Sequence, residues 1–390
     1  MPRSRFTCFS IALALAATAV SHADVVTDWN TKTVEVISAS RMPGVAMYRA
    51  GAIVQVAVFE AVNAITGRYP PSDAGIETSS GSSIQAAVAA ATRATLLELV
   101  PGQEAAIEVA YQSALKMLPD GPAKTNGVSV GEKAATAVLE LRVEDGSAAP
   151  DTYRPRTAPG IYVPTTLPAA PHWGKRAPWI LAGGDQFRPA PPPTLASDVW
   201  ARDYNEIKLL GSRNSTHRTT EQTQIARFWA SAAPASYFAI ARSVADAQAH
   251  SEPTQNARLL ATVAMAMDDA LIAVLDAKYA YALWRPITAI RNGDIDRNDR
   301  TERDAGWVPL IDTPMHPEYP CAHCTLAAAV ATVLEGVGGD GPMFKLTATS
   351  PTAPGFVRTW TSAEDLVQEV AMARIYGGVH YRYSNEVGRA

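Results

Sequence analysis

Apolar residues recur three and four positions apart along almost the whole chain, while the strict alternation of a half-buried strand is scarce. The pattern predicts helices over 46–65, 83–99, 104–118, 130–143, 198–209, 220–232, 239–249, 256–284, 325–337 and 363–376. Local punctuation agrees with several of these boundaries. Ser83 stands where an N-cap is needed, Pro101-Gly102 closes that helix, and Thr219 with Gln222 has the form of a capping box. Stripes so rich in alanine are buried most readily by helix against helix, so the expected fold class is all-α, built of helical bundles.

One stretch breaks the rhythm. From Pro150 to Pro193 there are eleven prolines in 44 residues, and a segment so short of backbone N–H donors is unsuited to a core element. It reads as a connector, 150–197, laid over the surface between an N-terminal helical half, 24–149, and a C-terminal helical half, 198–390, that carries the chemistry. No internal repeat is visible. Residues 1–23 stand apart: Arg3 and Arg5, an apolar run from Phe9 to Val20, and Ser21-His22-Ala23 are the three parts of a secretory signal, too short to span a bilayer. Cleavage after Ala23 would leave a secreted or periplasmic protein, and no later stretch reads as a transmembrane span.

Charge and cysteine content narrow the function classes. The chain has 34 basic and 38 acidic residues, and losing Arg3 and Arg5 makes it more negative still. That balance gives no global attraction to nucleic acid or to an anionic membrane. With Cys8 in the signal, only Cys321 and Cys324 remain, so disulfides do not build the fold.

Candidate chemistry lies in three segments. In "DAKYAYALWRPITAIR", Lys278 and Arg285 are two helical turns apart and share a face of the predicted helix, which Pro286 then ends. Their flanks, Trp284 included, are mostly apolar, and cations in such surroundings need an anion. In "ARIYGGVHYRYSNEVG", Arg374 is followed by Gly377-Gly378 and His380, the double glycine allowing close approach of a ligand. In "YPCAHCTLAAA", His323 falls in the first turn of a helix, where free N–H groups and the positive dipole end favour anions. Three cations, two histidines and a helix N-terminus would make a pocket for a tetrahedral oxyanion.

Other readings of the same residues are a zinc cage of His316, Cys321, His323 and Cys324, a haem attachment, a redox cysteine pair, or a non-catalytic oxyanion-binding protein. The zinc ligands are too crowded for the usual paired spacing. Haem attachment fails because Thr325, not histidine, follows Cys324, and a thioredoxin-like pair lacks its βαβ setting. The non-catalytic binding protein stays open.

Lys278-x6-Arg285-Pro286, Pro320-Cys321-Ala322-His323 and Arg374-x5-His380 resemble, in order and spacing, the signature K-x6-R-P, P-S-G-H, S-R-x5-H. That signature belongs to the vanadium-dependent haloperoxidases and type 2 phosphatidic acid phosphatases (PAP2). Softer similarity to secreted bacterial members covers "VFEAVNAITG", "YNEIKLLGSRNSTHRTTEQTQIARFWA", "WVPLIDTPMHPEYP" and "GGVHYRYSNEVG". The resemblance implies an all-helical fold with a four-helix-bundle core around the oxyanion pocket. It implies vanadate as cofactor, with phosphate able to take the same site, and no haem.

By the same resemblance, Lys278, Arg285 and Arg374 would balance the oxyanion charge and the Ala322 N–H would donate to it. His323 would be the acid–base group, and His380 the vanadium ligand or, in a phosphatase, the nucleophile. The implied reaction is oxidation of halide by hydrogen peroxide, passed to an organic acceptor; the alternative is hydrolysis of a phosphate ester through a phosphohistidine. His316 stands where bromoperoxidases of the family carry histidine and, with Trp284 as a further halide-site candidate, favours bromide or iodide over chloride. Oligomeric state is open, a homo-oligomer included. Four positions depart from the pattern: Cys321 and Ala373 replace serines, Ala322 a glycine, and Ser384 the aspartate that many haloperoxidases carry. Cys321 is expected either to face the anion as a thiol or to pair with Cys324.

Overall fold

A computed structural model describes residues 24–71, 75–77, 79–231, 233–247, 252–338 and 345–390; the segment expected to be a signal, 1–23, lies outside them. Among the described residues there are thirteen α-helices and one two-stranded sheet. The first five helices are α1 (Val25–Ala39), α2 (Gly44–Thr66), α3 (Ile84–Leu99), α4 (Glu104–Lys116) and α5 (Pro122–Arg142). After the connector come α6 (Asp198–Leu210), α7 (Thr220–Phe228), α8 (Pro234–Ala247), α9 (Pro253–Tyr281), α10 (Pro286–Arg291) and α11 (Ala322–Gly338). An antiparallel pair, β1 (Leu346–Thr349) and β2 (Val357–Trp360) with Leu346 opposite Trp360, precedes α12 (Ala363–Tyr376) and α13 (Arg382–Arg389). The fold is all-α, as the periodicity predicts.

All ten predicted helices are present, and the differences have local causes. Helix α1 escapes a periodicity reading because it is rich in β-branched residues; it is held by the Asp24 cap and by burial of Val26, Trp29, Val36 and Ile37. Helix α5 starts at Pro122 rather than 130, through two glycines that lower helix propensity. Those glycines serve packing: a Cβ on Gly131 would stand 2.3 Å from the Ala87 carbonyl oxygen of α3. Helix α9 stops at Tyr281, where Ala282 turns left-handed at φ 49°. Lys278 and Arg285 therefore do not share a helix face, which corrects the two-turn reading; Arg285 instead caps α10.

One apolar cluster runs through both halves, joining Ala57 of α2, Ala87 of α3, Leu260 and Met267 of α9, Leu326 of α11 and Val370 of α12. Helix α2 reaches a mean hydropathy of 1.4 over a window long enough to cross a membrane, which the sequence reading did not foresee. Its window is 72% buried inside the protein, against α3, α5 and α9, so the apolar run is accounted for by the core.

Apart from a short turn at Trp173–Lys175, the connector forms no helix. It is pinned at two places. Arg176 donates to Asp268 (2.8 Å) and Asp145 (2.6 Å), all buried, while Asp269 accepts the N–H groups of Trp179, Ile180 and Leu181. Upstream, the Tyr162 N–H donates to Ala282 O at 2.7 Å and the Trp284 N–H to Gly160 O at 3.0 Å. That second clamp fixes the link from α9 to α10, and with it Arg285.

Candidate active site

Four chain segments meet at one point: the end of α9 with its link to α10, the loop 316–321 with the start of α11, the end of α7, and the link from α12 to α13. Lys278, Arg285, Arg374 and His380 are all buried there. Burial of so many cations is costly unless each finds acceptors, so the partners define the site.

Lys278 donates to the backbone oxygens of Pro317 (3.1 Å), Glu318 (2.8 Å) and Pro320. All three ammonium protons are thereby committed. Lys278 fastens the loop before α11 and must release one carbonyl to reach an anion. Arg285 Nε donates to His316 O at 2.8 Å, Nη1 to Val379 O at 2.9 Å, and its two Nη atoms lie 3.2 Å from His380 Nε2 and 3.0 Å from His316 Nδ1. A guanidinium only donates, so His380 Nε2 is an acceptor here, whereas His316 Nδ1 lies between Arg285 and the Pro317 carbonyl oxygen at 3.1 Å. Arg374 is held by one bond, Nη1 to Trp229 O, and its Nε and Nη2 have no partner. His323 Nε2 is likewise buried without a partner.

The link to His380 begins at Gly377-Gly378, but the glycines do not make room for a ligand, as the sequence suggested. A Cβ on Gly378, whose φ is +79°, would stand 2.4 Å from Gly211 O, and one on Gly377 would meet Ile311 at 2.8 Å. They let the turn seat against the loop after α6, and the chain then returns His380 to the pocket. His380 Nδ1 lies 2.8 Å from Glu318 Oε1, which also accepts the Tyr381 N–H at 3.0 Å. Sequence reasoning missed Glu318. A single carboxylate in "HPEYP" reads as a solvated turn residue, yet it is fully buried.

Cys321 and Cys324 are joined by a disulfide. Cys321 Sγ accepts the Cys324 N–H, and both sulfurs sit in a small buried cluster with Ala371 of α12. Cys321 thus has no S–H to offer an oxyanion, which removes it from the expected donors; the zinc cage loses both thiolates for the same reason. Among the described residues no group of three or more His, Cys, Asp or Glu is arranged to hold a metal ion. Ala322 opens α11, whose first N–H groups lack intrahelical acceptors. Trp284 stacks on Trp200 in an aromatic cluster with Tyr319, Tyr381 and Tyr383. It does not line the cavity of about 340 Å³, walled by Tyr162, Ile287, Ile311 and Met315, that Arg285 also lines.

The electrostatics report a shortage of negative charge. Burial, then the neighbouring Arg285, pulls Arg374 down to about 9, and burial brings Arg285 to about 10. Lys278 is pushed well below its ordinary value by burial and then by Arg285. The imidazoles of His316, His323 and His380 are lowered by burial and by the surrounding cations. Burial raises Glu318 to about 7 against the pull of Lys278 and Arg285. Three buried cations, orphaned donors on Arg374 and His323, and one carboxylate already turned to His380 fit a multiply charged oxyanion.

Comparison with known proteins agrees. Residues 258–390 match the family model of the VCPO second helical-bundle domain. The chain is 26% identical over 299 residues to the vanadium chloroperoxidase of Curvularia inaequalis, and the match covers 60% of this chain and 49% of that protein. The chain thus spans about half the length of that curated relative. A bacterial vanadium-dependent iodoperoxidase structure aligns with a TM-score of 0.79 at 25% identity, covering 94% of this chain and 92% of that one. An apo-type bacterial vanadium-dependent chloroperoxidase aligns at 0.72 with 15% identity, covering 90% and 92%, a likeness of fold. Residues 258–390 therefore match the model of the VCPO second helical-bundle domain, and the chain has the fold of the bacterial vanadium haloperoxidases.

Proposed function

We propose that this protein is a vanadate-dependent haloperoxidase that oxidises bromide or iodide with hydrogen peroxide. The observation that carries the reading is the set of buried donors without partners, on Arg374 and His323, within a pocket of three cations. Vanadate, when bound, supplies a Lewis-acid centre that activates peroxide toward halide. The residues that would hold it are Arg285, Arg374, Lys278, the Ala322 N–H and the ring of His380. Arg285 already faces Nε2 of His380, so that nitrogen carries the lone pair a ligand needs.

His323 is the acid–base group. Its Nε2 is free of other bonds, and its lowered pKa keeps it neutral near pH 7, ready to accept a proton. Lys278, with Arg285, stabilises negative charge that develops in the pocket. His316, bonded to Arg285, is the residue we assign to the halide. The iodoperoxidase likeness at 25% identity supports the heavier halides.

The test separates the two histidines. Purified His380→Ala should fail to retain orthovanadate through gel filtration, whereas His323→Ala should retain it and turn over poorly. Equal retention by wild type and His380→Ala overturns the ligand assignment. A phosphohistidine trapped at His380 during hydrolysis of a phosphate ester favours a PAP2-type phosphatase instead.

A further inference from the structure

Among the described residues Glu318 is the one buried carboxylate in contact with the His380 ring, and its placement is determined from both ends. Its own N–H donates to Leu283 O at 2.9 Å and its carbonyl accepts the Lys278 ammonium at 2.8 Å. The backbone of Glu318 is therefore tied to α9 and to the link that carries Arg285. From that anchored position the side chain reaches the link from α12 to α13, where Oε1 meets His380 Nδ1 at 2.8 Å and the Tyr381 N–H at 3.0 Å.

The tautomer follows from the partners. Arg285 Nη1, 3.2 Å from Nε2, can only donate, so Nε2 accepts and the ring proton of neutral His380 sits on Nδ1, facing Glu318. Position 384, four residues beyond His380, is a serine whose hydroxyl lies beside the Glu318 carboxylate. It offers no charge of its own. The carboxylate that could orient the ring from the helix after it is supplied instead by the loop before α11.

We propose that Glu318 is the positioning residue of His380, fixing its ring orientation and its Nδ1–H tautomer so that Nε2 is presented to the oxyanion. The role rests on the haloperoxidase reading for what Nε2 binds, but not for the hydrogen bond itself. A purely structural carboxylate is a poor alternative. Among the described residues its carboxylate bonds directly to the His380 ring and the Tyr381 N–H, Lys278 and Arg285 act on it through space, and Oε2 has no hydrogen-bond partner. A carboxylate buried there carries a desolvation cost that its bonds to His380 and Tyr381 must offset.

The experiment uses the full chain with 15N-labelled histidine. In the vanadate-free wild type, His380 should show a single Nδ1–H tautomer with a strongly deshielded proton. Glu318→Leu, which fills the space without an acceptor, should show exchange between tautomers, and Glu318→Leu with Ser384→Asp should recover the wild-type form. By calorimetry Glu318→Leu should bind orthovanadate about 10–100-fold more weakly, the usual effect of losing a partner behind a ligand. Inorganic phosphate, held by the cations, should change far less. An unaltered His380 spectrum, or equal loss of phosphate and vanadate, overturns the proposal. If Glu318→Leu does not fold, Glu318→Gln decides: the Nδ1 proton should move upfield against a neutral acceptor, and an unmoved resonance overturns it. Failure of wild type to bind either anion would sink the haloperoxidase reading, while the spectra would still decide the role of Glu318.

Discussion

Arg374 and Arg285 carry the same charge but are not equivalent. Arg374 has one protein acceptor and two idle donors, whereas Arg285 also ties His316 and Val379 in place. Arg374→Ala should therefore weaken phosphate binding by about 1.5–3 kcal/mol, the value of charge-assisted bonds, with little loss of stability. Calorimetry that shows unchanged phosphate affinity in this variant would contradict the pocket. Protonation gives a second handle. Without an anion, Lys278, His323 and His380 are held below their ordinary values by burial and by neighbouring cations, so a bound anion must raise them. Sulfate, which does not titrate near neutrality, should bind with net proton uptake at pH 7, seen as a dependence of the heat on buffer ionisation enthalpy. Net release would contradict it. The cations and His380 are legible in the sequence because charge in an apolar run demands a partner. Glu318 is not, since its burial depends on a loop folded back by Lys278.

At the scale of elements, the sequence signals the helices but not where backbones touch. Gly131 reads as a helix weakener, yet α5 and α3 approach so closely there that only glycine fits. Gly131→Ala should destabilise the protein by roughly 1–3 kcal/mol through overpacking. Gly336 in α11 is exposed, with nothing within 4 Å of a built Cβ, so Gly336→Ala should stabilise by roughly 0.4–1 kcal/mol. Thermal melts of the two variants should move in opposite directions; a shared direction would show that the α3–α5 approach is looser than described. The end of α9 teaches the same lesson. Periodicity carries the helix through Trp284, but the connector pairs with residues 282–284 from 120 or more positions upstream, and that long-range pairing releases the chain to place Arg285.

Over the whole molecule, the proline-rich connector is recognisable as a surface segment, but its role as a fastener is not, because Asp145, Arg176 and Asp268 lie far apart in sequence. In the fold, burial alone would raise the Asp145 carboxyl, yet Arg49 and Arg176 override it and hold it well below the usual range. A depressed carboxyl contributes stability above its unfolded value, near 3.8, that is lost as pH falls through the folded one. Asp145→Asn should cost about 3–5 kcal/mol near neutral pH, since it leaves buried arginines short of a partner. It should also flatten the fall of the urea midpoint between roughly pH 4 and pH 2. A variant as acid-labile as wild type would remove Asp145 from the acid response.

The shared core brings the C-terminal signature and the N-terminal helices into one body, and the buried cation pocket is what that body encloses. Its purpose is decided most directly by adding orthovanadate to the purified protein and following peroxide-dependent bromide oxidation, with phosphate-ester hydrolysis assayed in parallel. Bromide oxidation should appear on vanadate addition, saturate, and be suppressed by competing phosphate. Ester hydrolysis with no vanadate-dependent bromide oxidation would contradict the haloperoxidase assignment.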